Sequence, residues 1–87
     1  MKSHRSWDFK KLYATLPEGV QAQAVQCFQL WRENASHPSL LFKEMKPSGS
    51  RRYSVRIGRS HRAVGSLQGD GTMVWTWIGS HEAYNKF

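Results

Sequence analysis

Arg56, Arg62 and His81 are the residues of this chain whose types, if brought together, could do chemistry. Guanidiniums grip phosphate oxygens with a planar fork, and an imidazole exchanges protons near neutral pH. Such a set suits a phosphodiester. RNA supplies its own nucleophile, the 2′-OH, so a protein that cuts it needs no metal in principle. It needs a base, cations for the phosphorane and an acid for the departing 5′-oxygen. His81 can fill either proton role, and Arg56 and Arg62 would stabilise the developing charge. Tyr84 and Phe87, just beyond His81, offer faces on which a base could stack. Blander roles compete. An arginine on an open sheet face is often only solvated, His81 could cap a turn, and the two aromatics could simply pack the tail.

The surrounding charge favours a polyanion or an acidic protein partner. The chain has 87 residues and a formal net charge of +7. Lys43, Lys46, Arg51, Arg52, Arg56, Arg59 and Arg62 crowd into residues 43–62 against a single acid, Glu44. Lys43, Arg51, Arg52 and Arg59 are therefore candidate substrate contacts. Other chemistries lack their residues. One cysteine, Cys27, excludes an internal disulfide and fits a reducing compartment. It lies among apolar helix positions, as a small buried residue would. The scattered histidines His4, His37 and His61 make no metal-ligand pair and read as surface or turn residues, so no metal and no cofactor is expected. No glycine-rich phosphate loop and no paired serine or cysteine nucleophile is visible. No segment approaches the ~18 apolar residues of a membrane span. The N-terminus lacks the apolar centre of a signal peptide, so a cytoplasmic protein is the expectation.

The elements that must position these side chains follow from periodicity. Residues 6–15 read as a short helix capped by Ser6, with Phe9, Leu12 and Tyr13 on one face. Pro17 and Glu18 open a second helix that runs to Glu33, with Val20, Ala24, Cys27, Phe28 and Trp31 along one stripe. Trp7 and Trp31 are expected to pack these helices. Pro38 ends the region, and Ser39–Met45 reads as a strand. Tyr53, Val55 and Ile57 alternate with Ser54, Arg56 and Gly58, which is strand periodicity. Gly58 to Ser60 connects to a strand over Ala63–Leu67. Asp70-Gly71 marks a hairpin turn before Met73–Ile78, a strand apolar on both faces with Trp75 and Trp77 as core. The whole is one domain, residues 1–87: an α+β fold with an N-terminal helical hairpin on a roughly four-stranded antiparallel sheet. Arg56 then points away from Val55 and Ile57, onto the open side. Arg62 lies on the neighbouring strand, and His81 follows the last strand at Gly79.

Five stretches in order carry a family resemblance over nearly the whole chain: Leu16-Pro-Glu-Gly-Val-Gln21, Asn34 to Phe42, Tyr53-Ser-Val-Arg-Ile57, His61-Arg-Ala-Val-Gly65, and Trp77-Ile-Gly-Ser-His-Glu-Ala-Tyr84. The sequence resembles the RelE/ParE superfamily of type II toxin–antitoxin toxins. The resemblance implies the same helical hairpin on an antiparallel sheet. Many members begin with a strand; here the start reads directly into a helix, so that strand is expected to be short or missing. RelE-like members are ribosome-dependent, metal-free mRNA endonucleases. Their sheet cations match Arg56 and Arg62, and the histidine of YafQ-like members, in a Gly-Thr-His context, matches His81 in Gly79-Ser-His81. Their C-terminal stacking aromatic matches Tyr84 or Phe87. The lysine-rich catalytic set of RelE itself is reduced here. ParE-like members share the fold and instead poison DNA gyrase, and an inactive interaction module would also share it. In each version the resemblance implies a cognate antitoxin partner, and in the RelE-like version mRNA on the ribosome.

Overall fold

The computed structural model describes residues 2–87. Three helices and five strands follow one another as β1 (Ser3–Arg5), α1 (Trp7–Ala14), α2 (Glu18–Glu33), β2 (Lys43–Glu44), β3 (Arg52–Ile57), β4 (His61–Leu67), β5 (Met73–Ser80) and α3 (His81–Tyr84). The sheet runs β1-β5-β4-β3-β2. β2 to β5 pair antiparallel, and β1 joins the edge of β5 in parallel.

The helical hairpin forms where periodicity places it. Ser6 caps α1 by accepting from the Phe9 N–H at 3.1 Å. The turn into α2 is closed from both sides: the Tyr13 hydroxyl donates to the Gln21 carbonyl, and the Gln21 amide donates to the Tyr13 carbonyl. Phe9, Ala24 and Trp31 are buried on the sheet, while Cys27 and Phe28 are half-buried at the margin of the core. Trp7 departs from the expectation. It stands first in α1, on the side away from the core, and is 73% exposed.

Three strand expectations are corrected. The short first strand is present as β1, which makes five strands among the described residues where about four were expected. The stretch from Ser39 to Met45 is mostly not extended. Pro38–Leu40 makes a 3₁₀ turn and Leu41 takes a left-handed conformation (φ 45°), so only Lys43–Glu44 pairs with β3. Proline's fixed φ favours a turn start, and the left-handed residue then reverses the chain. The fourth strand starts at His61, earlier than its apolar residues indicate.

Trp75 and Trp77 do not share a face. Val64 pairs with Trp77 and Gly65 with Trp75, so Thr76 bulges out between them. The bulge shifts the alternation. Met73, Trp75 and Ile78 are buried in the core, and Trp75 meets Phe28 and Trp31 of α2. Trp77 turns to the other face and packs edge-on against Phe87. Gly65 must be small here, because a Cβ would lie 2.8 Å from both Met73 Sδ and a Trp75 ring atom.

Candidate functional site

The face of the sheet opposite the helices gathers the cations. In β3, Ser54 and Arg56 alternate with the buried Val55 and Ile57. Across the ladder Arg56 sits opposite Arg62, and Arg62 opposite Gly79, so three strands contribute to one cross-strand line. Two arginines directly opposite repel one another. An anion between them would relieve that repulsion.

Arg62 is the pivot. It is 5% exposed. Its Nη2 donates to Ser54 Oγ at 3.1 Å, and its guanidinium carbon lies 4.8 Å from the centre of the Tyr84 ring. Its Nε–H is buried and has no acceptor among the described residues. The Tyr84 hydroxyl donates to the same Ser54 Oγ at 3.2 Å. Ser54 thus ties the buried guanidinium to the aromatic ring of α3. Arg56 is half-buried and steered by its neighbour turn, with Nε donating to the Gly58 carbonyl at 2.8 Å. Gly58 makes that turn in a left-handed conformation (φ 59°) and lies close against Gln23 of α2.

His81 opens α3. Its backbone N–H donates to the Ser60 carbonyl at 2.7 Å, which fixes the start of the helix to the β3–β4 turn. Ser80 caps the helix by accepting from the Ala83 N–H at 3.1 Å, so the cap falls to Ser80 and the imidazole is left exposed. The imidazole lies 6.1 Å, centre to centre, from the Tyr84 ring. His81 and Arg62 therefore both lie near one phenol ring. Gly79 leaves room for the Trp77 ring, since a Cβ there would fall 2.6 Å from it.

The remaining candidates divide by place. Arg52 reaches over the Phe87 ring at 5.9 Å, and Phe87, 54% exposed, rests on Trp77 with centroids 4.8 Å apart. Lys43, Lys46, Arg52, Tyr84, Asn85 and Phe87 line a cleft of about 400 Å³, together with one acid, Glu44. Arg59 is exposed in the turn after β3. Arg51 lies elsewhere. Its Nε and Nη2 donate to the carbonyls of Leu67 and Gln68, both at 3.0 Å. It latches the end of the β3–β4 ladder remote from Arg56 and Arg62, and its guanidinium is committed to backbone. Sequence reasoning passed over Ser54, whose role no motif marks, and Asn85, which only its position before the last aromatic could have flagged. Among the described residues no three His, Cys, Asp or Glu side chains gather closely enough to hold a metal ion.

A small twisted sheet with cations on one face and a helical hairpin on the other defines a class of protein, and comparison with known proteins names it. The ParE-like toxin domain matches residues 18–86. The chain belongs to that family, within the RelE/ParE superfamily of toxins of toxin–antitoxin systems that its motifs resemble. No curated protein sequence matches it. Solved structures share the fold at low identity. The RelB–RelE antitoxin–toxin complex of Methanococcus jannaschii is 18% identical with a TM-score of 0.72, covering 95% of this chain and 96% of that one. YafQ from Escherichia coli is 11% identical with a TM-score of 0.74, covering 95% and 96%. The YoeB/ParE toxin of Agrobacterium tumefaciens is 15% identical with a TM-score of 0.72, covering 93% and 99%.

Proposed function

We propose that the chain is a ribosome-dependent mRNA endonuclease that inhibits translation, held in check by a cognate antitoxin. The observation that carries this reading is Arg62: a buried guanidinium, facing a second arginine, with an Nε–H that has no acceptor among the described residues. A buried cation without a full set of partners is costly, and an oxyanion supplies what it lacks.

The scissile phosphate would lie between Arg56 and Arg62. The RNA 2′-oxygen forms a bond to phosphorus and the bond to the 5′-oxygen breaks. Charge on the phosphorane oxygens is taken up by the two guanidiniums, already oriented by Ser54 and Gly58. His81, exposed beside the Tyr84 ring on which Arg62 rests, moves a proton at the attacking 2′-oxygen or at the departing 5′-oxygen. Tyr84 already has Arg62 against its ring, so it serves as the support of that arginine. Phe87, more exposed, is the better stacking surface, with Lys43, Arg52 and Arg59 along the path of the flanking phosphates.

Addition of the purified protein to a cell-free translation reaction is expected to cut the mRNA being translated. The family's ParE-like description supports a second reading, poisoning of DNA gyrase. Intact mRNA together with blocked DNA supercoiling would replace the nuclease reading by that one. Intact mRNA with no effect on supercoiling would leave a plain interaction module.

A further inference from the structure

The turn between β3 and β4 holds two parts of the candidate site at once. Ile57 pairs with His61, so Gly58, Arg59 and Ser60 close the hairpin. The Gly58 carbonyl accepts from Arg56 Nε at 2.8 Å, and the Ser60 carbonyl accepts from the His81 N–H at 2.7 Å. A side chain of β3 and the first residue of α3, far apart in sequence, are therefore tied to one short piece of backbone. The far end of the turn has a further tie. Ser60 Oγ and His61 Nδ1 lie 2.9 Å apart, within hydrogen-bond distance. His61 stands opposite Ser80, the residue that caps α3.

Strand pairing fixes the backbone of Arg56 but leaves the end of a long side chain free to change rotamer. The bond from Nε to Gly58 removes much of that freedom and leaves the Nη groups to meet an anion. Fixing a group before its substrate arrives lowers the cost of reaching the reactive geometry. His81 gains in the same way, because its imidazole is exposed and only the backbone bond to Ser60 sets where α3 begins against the turn. We propose that the Gly58–Ser60 turn is the positioning element of this site, and that Gly58 and Ser60, acting through their carbonyls and not on substrate, set Arg56 and His81 relative to one another. Gly58 is the hinge of this arrangement. Its φ of 59° is left-handed, where asparagine is tolerated and a β-branched residue is strained. The amide end of Gln23 lies over Gly58, but Gln23 is exposed and can swing aside, so a substitution at Gly58 tests the backbone conformation. The consequence for cleavage rests on the nuclease reading; the coupling of Arg56 to His81 does not.

The test compares Gly58→Val with Gly58→Asn in the isotope-labelled full chain. In the wild type the Arg56 Nε–H and the His81 amide are expected to exchange slowly with solvent. Gly58→Val is expected to speed both about tenfold, and Gly58→Asn to leave both within about threefold. In the translation reaction Gly58→Val is expected to lower the maximal rate of cleavage about 10–10²-fold, with the half-saturating concentration of programmed ribosomes little changed. Gly58→Asn is expected to keep most of the rate. If Gly58→Val does not fold, Gly58→Ala, which strains the same conformation less, replaces it. Release of one proton without the other, full cleavage by Gly58→Val, or a loss in Gly58→Asn equal to that in Gly58→Val would overturn the proposal. If the wild type itself cuts no mRNA, the nuclease reading fails and the exchange rates alone decide the coupling.

Discussion

Ser54 accepts two hydrogen bonds, from Arg62 and from Tyr84, in a buried position. Its removal leaves donors of a buried guanidinium and a phenol unpaired. Ser54→Ala is expected to cost about 1–3 kcal/mol of stability, measured by denaturant unfolding. Tyr84→Phe keeps the ring under Arg62 and loses one hydrogen bond, so a loss of about 1 kcal/mol is expected. If Ser54→Ala is no worse than Tyr84→Phe, Ser54 does not hold Arg62 in place. For chemistry, His81→Ala is expected to lower cleavage about 10²–10⁴-fold with unfolding little changed, since its side chain is exposed. Full cleavage by that variant would remove His81 from the mechanism. At this scale the sequence was partly legible. Strand alternation was enough to put Arg56 opposite the core-facing Val55 and Ile57, and the short turn after Gly58 brought Arg62 beside it. The Ser54 junction and the Arg51 latch were silent, because a serine or an arginine that bonds across strands leaves no local pattern.

Among the elements, the bulge in β5 matters most. It turns Trp77 to the open face, where it supports Phe87. Gly65→Ala would push a methyl into Met73 and Trp75, and overpacking of this kind is expected to cost about 1–3 kcal/mol. Unchanged stability would mean that the bulge tolerates a side chain. The helices and the central hairpins were readable because their patterns run over many residues. β1 was not: Ser3-His4-Arg5 has no apolar alternation, and an edge strand of three residues is held by pairing rather than by burial. The bulge was hidden too, since two tryptophans spaced by one residue imply one shared face. The Asp70–Thr72 turn that joins β4 to β5 carries a pH signature. The Thr72 N–H donates to Asp70 Oδ1 at 2.9 Å, and this bond, first among its causes, holds the Asp70 carboxyl below its ordinary value. A lowered folded-state value stabilises the turn above the unfolded carboxylate range, and that gain disappears as pH falls through the lowered value. The Thr72 amide resonance is expected to follow this titration in the wild type and to lose it in Asp70→Asn. A flat wild-type response would contradict the bond.

For the whole molecule the governing quantity is charge, +7 on 87 residues. Most cations between residues 43 and 62 lie on one sheet face or its turns, and in the proposed nuclease they would form an electrostatic path for a backbone of phosphates. Affinity for single-stranded RNA is therefore expected to fall with salt. Arg59→Ala is expected to reduce the slope by about 0.7 if Arg59 touches one phosphate, whereas an unchanged slope would place it off the path. Among the described residues no helix is long and apolar enough to cross a membrane.

The central claim is that two opposed arginines and a nearby histidine drive attack by the RNA's own 2′-OH. End-group mapping of mRNA recovered from a translating extract tests it most directly. Fragments ending in a 2′,3′-cyclic phosphate and beginning with a 5′-hydroxyl, absent when His81→Ala is added instead, are the expected result. Fragments with 5′-phosphate and 3′-hydroxyl ends, or no protein-dependent fragments at all, would contradict it.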